Sequence, residues 1–573
     1  MKNSSIILII VILMAFAGCK KWLDVNSDPD TPQQPSGGSV LPQIQASMAT
    51  SLQSDGGLYV AKYTQNWLTN AVSNNNTYDL QGYVFSGGTM ASAWGMIYNA
   101  FGLNMEYLLE SSAKNNQNDY IGAALALKAW SYQYGTDYFS DLPFYEAYRP
   151  DTYKFRYETQ ETIYRVVDSM CKAALVYLRA ADGDPTNTLA KGDLVYGGDI
   201  QKWKRFVFGI LARNHNHLSK KSFYNADSVI SYCDSALTVV ADDYCVPFDA
   251  TFNDNSNYFG PYRDNMPALR QSNFIVHLLD GTILCDSTVS HKVNRDPRLA
   301  HMLTCSHDTT NGNGGYRGVD PGAGDPFSAL NPPEEYYENG QPPTSDPKLT
   351  NYNNARKKVS IAFGDSLYVN PSRAAFGSQG KYLFKNKSAF PIMTAAEIQF
   401  IKAEAAFRKG DLGLAHTAYR NGIRLHFDFI NRDYSRVRGS FSLYNINPIQ
   451  QDAITAYMDG KNVKQSPATL TLSDIMLQKY IALWGWGFVE TWVDFRRNDF
   501  YDPADEAAFG NFMSIYKGLY GGTIPLAGNN EGKFAQRVRP HYTSENTYNL
   551  DEITRLGILQ TDWHVKKMWF SEP

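Results

Sequence analysis

From Ile6 to Ala17 the chain carries no charge and consists mostly of Ile, Leu, Val, Met and Phe, with Lys2 ahead of it. A membrane-spanning helix needs roughly 20 apolar residues, and this shorter run reads as the core of a secretion signal covering residues 1–18. Further on, apolar positions recur at helical period. Thr394 stands three residues before Glu397, the spacing of a reciprocal capping box, and Ile398, Ile401 and Ala405 follow on one face. Gly410 can take the left-handed conformation that ends a helix, Asp411 can cap the next, and Leu414, Ala418 and Ile423 continue it. Residues 394–425 therefore predict a helical hairpin. Ala403, Ala406, Ala415, Tyr419 and Gly422 match the small or aromatic spacing of tetratricopeptide pairs, in which two helices approach closely.

The same periodicity predicts helices elsewhere. Ile163, Val166, Val167, Met170, Ala174, Tyr177 and Leu178 form a stripe after Thr159. Residues 203–218 and 227–239 read as another pair, and 121–134 as an alanine-rich helix. Because each hairpin can bury its apolar face only against a neighbour, the pattern implies a mostly α scaffold of stacked pairs. It breaks between about residues 246 and 389, where Gly, Pro, Asn, Asp and Tyr dominate, as in Asn311-Gly312-Asn313-Gly314-Gly315 and Asn331-Pro332-Pro333. A loop region of this length is functional or disordered, and its density of Tyr and Phe argues against disorder.

Composition narrows the functional classes. A net charge of −4 leaves no basic field for phosphate backbones, which excludes nucleic acid as a partner. Of six cysteines, Cys19 ends Phe16-Ala17-Gly18-Cys19, a site at which small residues admit a peptidase and the thiol can carry a lipid. Acyl chains contribute roughly 0.8 kcal/mol per buried methylene, enough for two or three to hold a soluble body on a membrane. Residues 19–40, with Ser27-Asp28-Pro29-Asp30-Thr31-Pro32 and Ser36-Gly37-Gly38, read as the lipidated N-terminus and tether, and 41–573 as a single domain. Cys171, Cys233, Cys245, Cys285 and Cys305 contain no CxxC pair; no zinc site is suggested, and one or two bridges remain open.

The unusual total is aromatic: 38 Tyr, 30 Phe and 10 Trp. Flat rings stack on the apolar faces of sugars, and Asn, Asp and Arg beside them can satisfy hydroxyls. Two segments have that mixture. The first runs from Trp67 to Phe85 and holds Asn74, Asn75, Asn76, Tyr78, Asp79 and Tyr83; the second runs from Asn257 to Arg263 and holds Tyr258, Phe259 and Tyr262. Tyr316 and Arg317 form a third. At least one ring from each of the first two segments is expected to line a shallow site. Catalytic readings are weaker. Gly364-Asp365-Ser366-Leu367 spells the GDSL string of an esterase family, but it lies deep in the chain, and Asp562-Trp563-His564 has the wrong spacing for the partner acid and base. His215 and His217 sit two apart on a helix and face different ways, which favours solvated or capping roles over a metal pair. Asp320 and Asp325 lack the ordered alternation of a calcium loop. No catalytic residue, metal or cofactor is expected.

Several motifs, in order, resemble the SusD/RagB family of outer-membrane nutrient-binding lipoproteins. Trp22-Leu23-Asp24-Val25-Asn26-Ser27-Asp28-Pro29 resembles the opening of its members, Ser140-Asp141-Leu142-Pro143-Phe144-Tyr145-Glu146-Ala147 the segment after the second helical pair, and Asp296-Pro297-Arg298 a middle motif. Thr394 to Ala405 is similar to the family's AE-x-x-F-x-x-AEA helix, Glu490 to Arg497 to its E-x-W-x-D-x-RR motif, and Arg537 to Asn549 to its terminal R-x-R-x-x-Y-x-x-E-x-x-x-N element. The resemblance implies a mostly helical SusD-like fold with four tetratricopeptide-like pairs and a loop-rich aromatic region. It also implies a lipid-anchored protein on the outer membrane, exposed at the cell surface, that captures oligo- or polysaccharide and passes it to a SusC-type TonB-dependent transporter. Peptide cargo on the same architecture is the alternative, and GDSL-like or glycosidase activity the alternative of another class. The motif charges are expected to be architectural, with Arg496 and Arg497 paired to Asp494, and Glu397 and Glu404 in helix-locking ion pairs. If Cys19 is the anchor, Cys19→Ala shifts the protein from the membrane to the soluble fraction on ultracentrifugation of lysed cells; unchanged partitioning refutes it.

Overall fold

The computed structural model describes residues 35–71, 77–84, 91–149, 151–285, 295–306, 308, 314–330, 341–362, 382–432, 448–519 and 526–573. Its first helix, α1 (Gly37–Ser51), runs directly into a π-helical stretch, Leu52–Val60. After the short strand β1 (Trp67–Thr69) come α2 (Ala91–Tyr98), α3 (Ala100–Lys114), α4 (Asn118–Phe139), α5 (Gln160–Ala181), α6 (Ile200–His217) and α7 (Ala226–Ser235). The strands β2 (Tyr244–Phe248), β3 (Leu269–Gln271) and β4 (Ser388–Met393) bracket the loop-rich region. The C-terminal part holds α8 (Ala395–Lys409), α9 (Leu412–Asn431), α10 (Gln451–Met458), α11 (Leu472–Leu483), α12 (Phe488–Arg497), α13 (Glu506–Ile515) and α14 (Tyr542–Tyr548).

The helix starts are set locally. Thr159 accepts from the Thr162 amide to begin α5, and Asp199 accepts from Gln201 and Lys202 to begin α6. Gly410, at φ 88°, ends α8, and Asp411 accepts from the Leu414 amide at 3.0 Å to begin α9. One expectation fails in part. Thr394 does accept from the Glu397 amide, at 3.2 Å, but the Glu397 carboxylate is engaged by Arg213 Nε and Nη2 at 2.5 and 2.6 Å, so the capping box has only one half. A charge-assisted pair with a buried guanidinium outcompetes a bond to one backbone amide.

Helices pair in sequence order: α4 with α5, α6 with α7, and α8 with α9, while α11 lies against α8. Small residues set the separations. A Cβ on Gly422 of α9 would fall 2.9 Å from the Phe400 ring of α8, and one on Gly122 of α4 would fall 2.6 Å from Leu178 of α5. Where the sequence pattern places residues 37–40 in the tether, the structure corrects it: they form the first turn of α1, Val40 and Leu41 are buried, and Gly37 lies against the Tyr120 ring. Two glycines suppress helix propensity in isolation, and packing overrides that. Between residues 246 and 389 the described helices span at most seven residues, as in Asn273–Leu279 and Leu349–Ala355. Antiparallel pairing of β1 with β3 and of β2 with β4 ties this region to the helices.

At the centre lies a buried lattice of charges. Glu397 (α8) holds Arg213 (α6); Glu404 (α8) takes both Nη atoms of Arg497 (α12) and also Arg408; Lys479 (α11) meets Glu490 at 3.0 Å and Asp494 at 2.8 Å, both on α12. Asp494 binds Arg497 in turn at 2.7 Å. His217 closes the lattice, with Nε2 2.7 Å from Glu490 and Nδ1 3.3 Å from Asp137 of α4, which accepts from Tyr164 of α5 at 2.5 Å. The ion pairs expected for Glu397, Glu404, Asp494 and Arg497 are therefore present. Arg496 departs from that expectation: it donates to the backbone carbonyls of Trp492, Gln536 and Asp137 and lies over the Trp492 ring at 3.9 Å. His217 departs as well, since it is buried within the lattice rather than solvated.

Burial alone would lower the His217 imidazole, but the Glu490 and Asp137 carboxylates outweigh it and hold the group at about 9. A folded pKa raised above the ordinary 6.5 contributes stability that is complete below that value and lost as pH rises through about 9. The melting temperature of the protein is thus expected to fall between pH 6.5 and 9. His217→Gln, less stable at the outset, shows a smaller fall over the same window in calorimetric scans; equal slopes for the two proteins contradict the assignment.

Candidate functional site

The π-helical stretch contains Gly56 and Gly57, and the absence of their side chains lets two rings in. A Cβ on Gly57 would lie 2.4 Å from Phe259 Cζ, and one on Gly56 would lie 3.2 Å from Phe488 Cδ2. π-helical segments are uncommon and recur at functional positions. The Gly57 carbonyl accepts from Trp67 Nε1 at 2.6 Å, which fixes the strand that follows. These contacts bring the two aromatic segments together. Phe259 is pinned beneath the π stretch; its neighbour Tyr258 remains half-buried, as does Tyr59 near the end of the stretch. Tyr59 in turn lies 4.7 Å, centroid to centroid, from Tyr78 of the first segment.

Around these rings stand polar groups. Lys62 Nζ is 5.8 Å from the centre of the Tyr78 ring, and the Arg263 guanidinium is 5.7 Å from that of Tyr258. Arg263 also donates to the Asp254 carbonyl at 3.0 Å. Tyr262 is 50% exposed, its backbone held by Asn386 Oδ1 at 2.8 Å and by Asn253 Nδ2 on its carbonyl. Beneath Tyr59, the buried Asp55 carboxylate accepts from the Ala93 amide at 2.7 Å near the start of α2, and burial pushes it up to about 7. Burial, and then Asp55, push the Tyr59 and Tyr258 hydroxyls up, so both stay protonated and able to donate at neutral pH. The arrangement is a row of partly exposed rings flanked by donors and acceptors, suited to stacking and hydrogen bonding.

Of the residues singled out in the sequence, Tyr78, Tyr258, Tyr262 and Arg263 are on or beside this patch. Trp67 is not available to a ligand, which corrects its selection: it is fully buried, with the rings of Phe488, Phe259, Phe384 and Trp484 at 5.0, 5.4, 5.9 and 6.1 Å. Asp79 is buried too, accepting from the Thr69 amide at 2.9 Å and facing Lys62 at 3.8 Å. Tyr83 is 4% exposed, stacked on His564 and below Arg539. In all three, sequence composition could not distinguish a core ring or a structural carboxylate from a surface one. Tyr316 is half-buried on another segment, 5.8 Å from the Arg295 guanidinium, with the next residue held by Gln271 of β3. Asn74, Asn75 and Asn76 lie outside the described residues, as do Cys19 and Ser366. Tyr59 was missed; its only sequence signal is the Gly56-Gly57 pair just ahead of it.

His564 is buried, Nε2 2.9 Å from Asn530 Oδ1, and burial followed by the Arg539 charge lowers it to about 4. His215 pairs with Asp168 at 3.0 Å. The Asp325 carboxylate accepts from the Phe327 and Val359 amides, each at 3.0 Å, while Asp320 is exposed. Among the described residues no group of three or more His, Cys, Asp or Glu could hold a metal ion, and Cys171, Cys233 and Cys285 are free thiols. Among those residues, too, no helix is long and apolar enough to cross a membrane.

Solved structures share the fold at low sequence identity. A SusD homologue from Bacteroides fragilis NCTC 9343 is 19% identical at a TM-score of 0.62, covering 94% of this chain and 100% of its own. A chitin-binding protein is 18% identical at 0.63 with the same coverages, and a chitin-binding SusD homologue from Flavobacterium johnsoniae is 16% identical at 0.62, covering 92% of this chain and 98% of its own. No curated protein matches the chain by sequence. The family model described as "Starch-binding associating with outer membrane" matches residues 29–511, most of the chain, and on that match the protein belongs to the SusD-like family.

Proposed function

We propose that the protein captures glycan on the Tyr59, Tyr78, Tyr258 and Tyr262 patch by contact alone, as a lipoprotein tethered through Cys19 at the outer membrane. On this reading a SusC-type TonB-dependent transporter receives the captured chain. The observation that carries the proposal is the convergence of two sequence-distant aromatic segments across the π-helical stretch, with Tyr59, Tyr78, Tyr258 and Tyr262 left partly exposed. Membership of a family described as starch-binding, and the chitin-binding relatives sharing its fold, support a polysaccharide cargo. Such a patch is shallow, so affinity accrues by engaging several sugar units at once. The patch offers no exposed strand edge that would pair with a peptide backbone among the residues named.

The test is affinity against glycan and peptide panels, with product analysis. Replacing Tyr59, Tyr78 and Tyr258 together by Ala is expected to lower affinity for the cognate glycan at least about tenfold, equivalent to about 1.4 kcal/mol, with the far-UV spectrum unchanged. Unchanged affinity removes the patch, preferential peptide binding replaces the cargo, and turnover of any ligand overturns binding as the activity. Trp67→Ala behaves differently: it removes a core ring and costs about 3–5 kcal/mol of stability, and it reduces binding only as far as the fold is lost.

A further inference from the structure

Within the π-helical stretch Asp55 is the one carboxylate, and it is 4% exposed. Its Oδ2 accepts from the Ala93 amide at 2.7 Å, and the Ser92 amide stabilises the same carboxylate. Both amides belong to the first turn of α2, where a helix offers them no acceptor of its own. The side chain therefore docks the π-helical stretch on the end of a neighbouring helix. Tyr59 follows four residues later on that stretch and carries the ring that meets Tyr78 at 4.7 Å.

The surroundings of Asp55 set it apart from the carboxylates of the lattice. The elements packed most closely against the stretch are α1, α2, α12 and residues 61–63. Neither α1 nor α2 carries a charged side chain. Lys62 faces Asp79 at 3.8 Å; on α12, Glu490, Asp494 and Arg497 belong to the lattice, and Arg496 donates to backbone carbonyls. The groups on which Asp55 acts are the hydroxyls of Tyr59, Tyr83, Tyr134, Tyr138 and Tyr258, all held neutral by burial. Among the described residues no cation compensates an ionised Asp55, so only two amides and the end of α2 favour its charge. Burying an unpaired charge is costly, and exposure to water relieves that cost.

We propose that Asp55 is a positioning residue for the aromatic patch and works as an acid-locked latch. Its neutral form keeps the π-helical stretch docked on α2. Its ionised form favours an opened state in which the carboxylate reaches water and Tyr59 is no longer held against Tyr78. The direction follows from linkage. Burial, only partly offset by the two amides, holds the carboxyl at about 7 against an ordinary 3.8, so the docked state binds the proton more tightly than the opened one. The docked state is therefore favoured fully below 3.8, loses that advantage as pH rises to about 7, and loses no more above it. The consequence for capture rests on the glycan-binding reading of the patch: binding is firmest in mildly acidic medium and slackens towards neutrality.

Hydrogen exchange on the purified protein, without ligand, tests the latch. The amides to follow are those of Ser92 and Ala93 and those from Leu58 to Ala61 around Tyr59. After correction for the intrinsic base-catalysed rate, their protection is expected to fall at least about threefold between pH 5 and 6.5, below the window in which His217 acts; the limit, for full solvation of the carboxylate, is about tenfold per pH unit. Asp55→Asn is neutral at every pH and is expected to give a flat profile over the same range. A smaller change in the wild-type protein overturns the proposal whether or not the variant folds, and so does the same fall in the variant. A fall confined to Ser92 and Ala93 overturns the positioning of Tyr59. Because no ligand is present, failure here leaves the glycan-binding patch standing, whereas unchanged glycan affinity in the triple Tyr variant removes the patch and leaves the latch.

Discussion

Five carboxylates and four cationic side chains are buried together inside the helical stack, with the exposed Arg408 at its edge. Asp137, Glu397, Glu404, Glu490 and Asp494 face Arg213, His217, Lys479, Arg408 and Arg497. Desolvating a single carboxylate or ammonium costs several kcal/mol, and only partners at hydrogen-bond range on every side compensate for it. Net stabilisation from such a lattice is small; its effect lies in what it forbids. Sliding α8 against α12 by one turn would separate Glu404 from Arg497, and shifting α6 would strand Arg213 and His217 together. The charges therefore fix the relative heights of α4, α6, α8, α11 and α12, while the apolar stripes determine only that these helices pack.

The site inherits its geometry from that constraint. Lys479 lies on α11 next to Tyr480, whose hydroxyl is 2.9 Å from the carbonyls of Thr64 and Gln65. At the turn after α11, Trp484 Nε1 donates to the Asn66 carbonyl at 3.0 Å, and the Gly485 amide donates to Asn66 Oδ1 at 2.8 Å. Phe488, the first residue of α12, packs on Gly56 and on the Trp67 ring. The α11–α12 unit thus carries its position in the lattice outward to residues 56–67, and through Gly57 and Phe259 to the loop that bears Tyr258 and Tyr262. The proposed glycan-binding patch thus rests half-exposed rings on a fixed scaffold.

Much of the scaffold was legible because its signals are local. A Thr or Asp ahead of an apolar stripe at helical period, and a glycine that must adopt positive φ, act within a few residues, so α5, α6, α8 and α9 and the turn at Gly410 follow from reading along the chain. Motifs dense in charge likewise pointed to Glu404 and Arg497 as members of ion pairs, though not to each other. Where two local rules competed, the tertiary partner won. Glu397 fits a capping box but binds Arg213, Arg496 follows Asp494 but bonds backbone carbonyls, and Gly37-Gly38 reads as tether but begins a helix against Tyr120.

The sequence by itself determined the helical pairs, the break into a loop-rich middle, and the abundance of rings beside Asn, Asp and Arg from which a sugar-binding surface can be built. Only the tertiary structure decided which of the described rings stay partly exposed. Trp67 and Tyr258 are equally aromatic and have equally polar neighbours, yet one lies among four rings in the core and the other stands half-exposed over Arg263's side of the patch. The physical reason is that burial is a property of what arrives from elsewhere in the chain. Phe259, Phe384, Trp484 and Phe488 come from two other regions to cover Trp67, and two missing β-carbons at Gly56 and Gly57 leave room for Phe259 and Phe488.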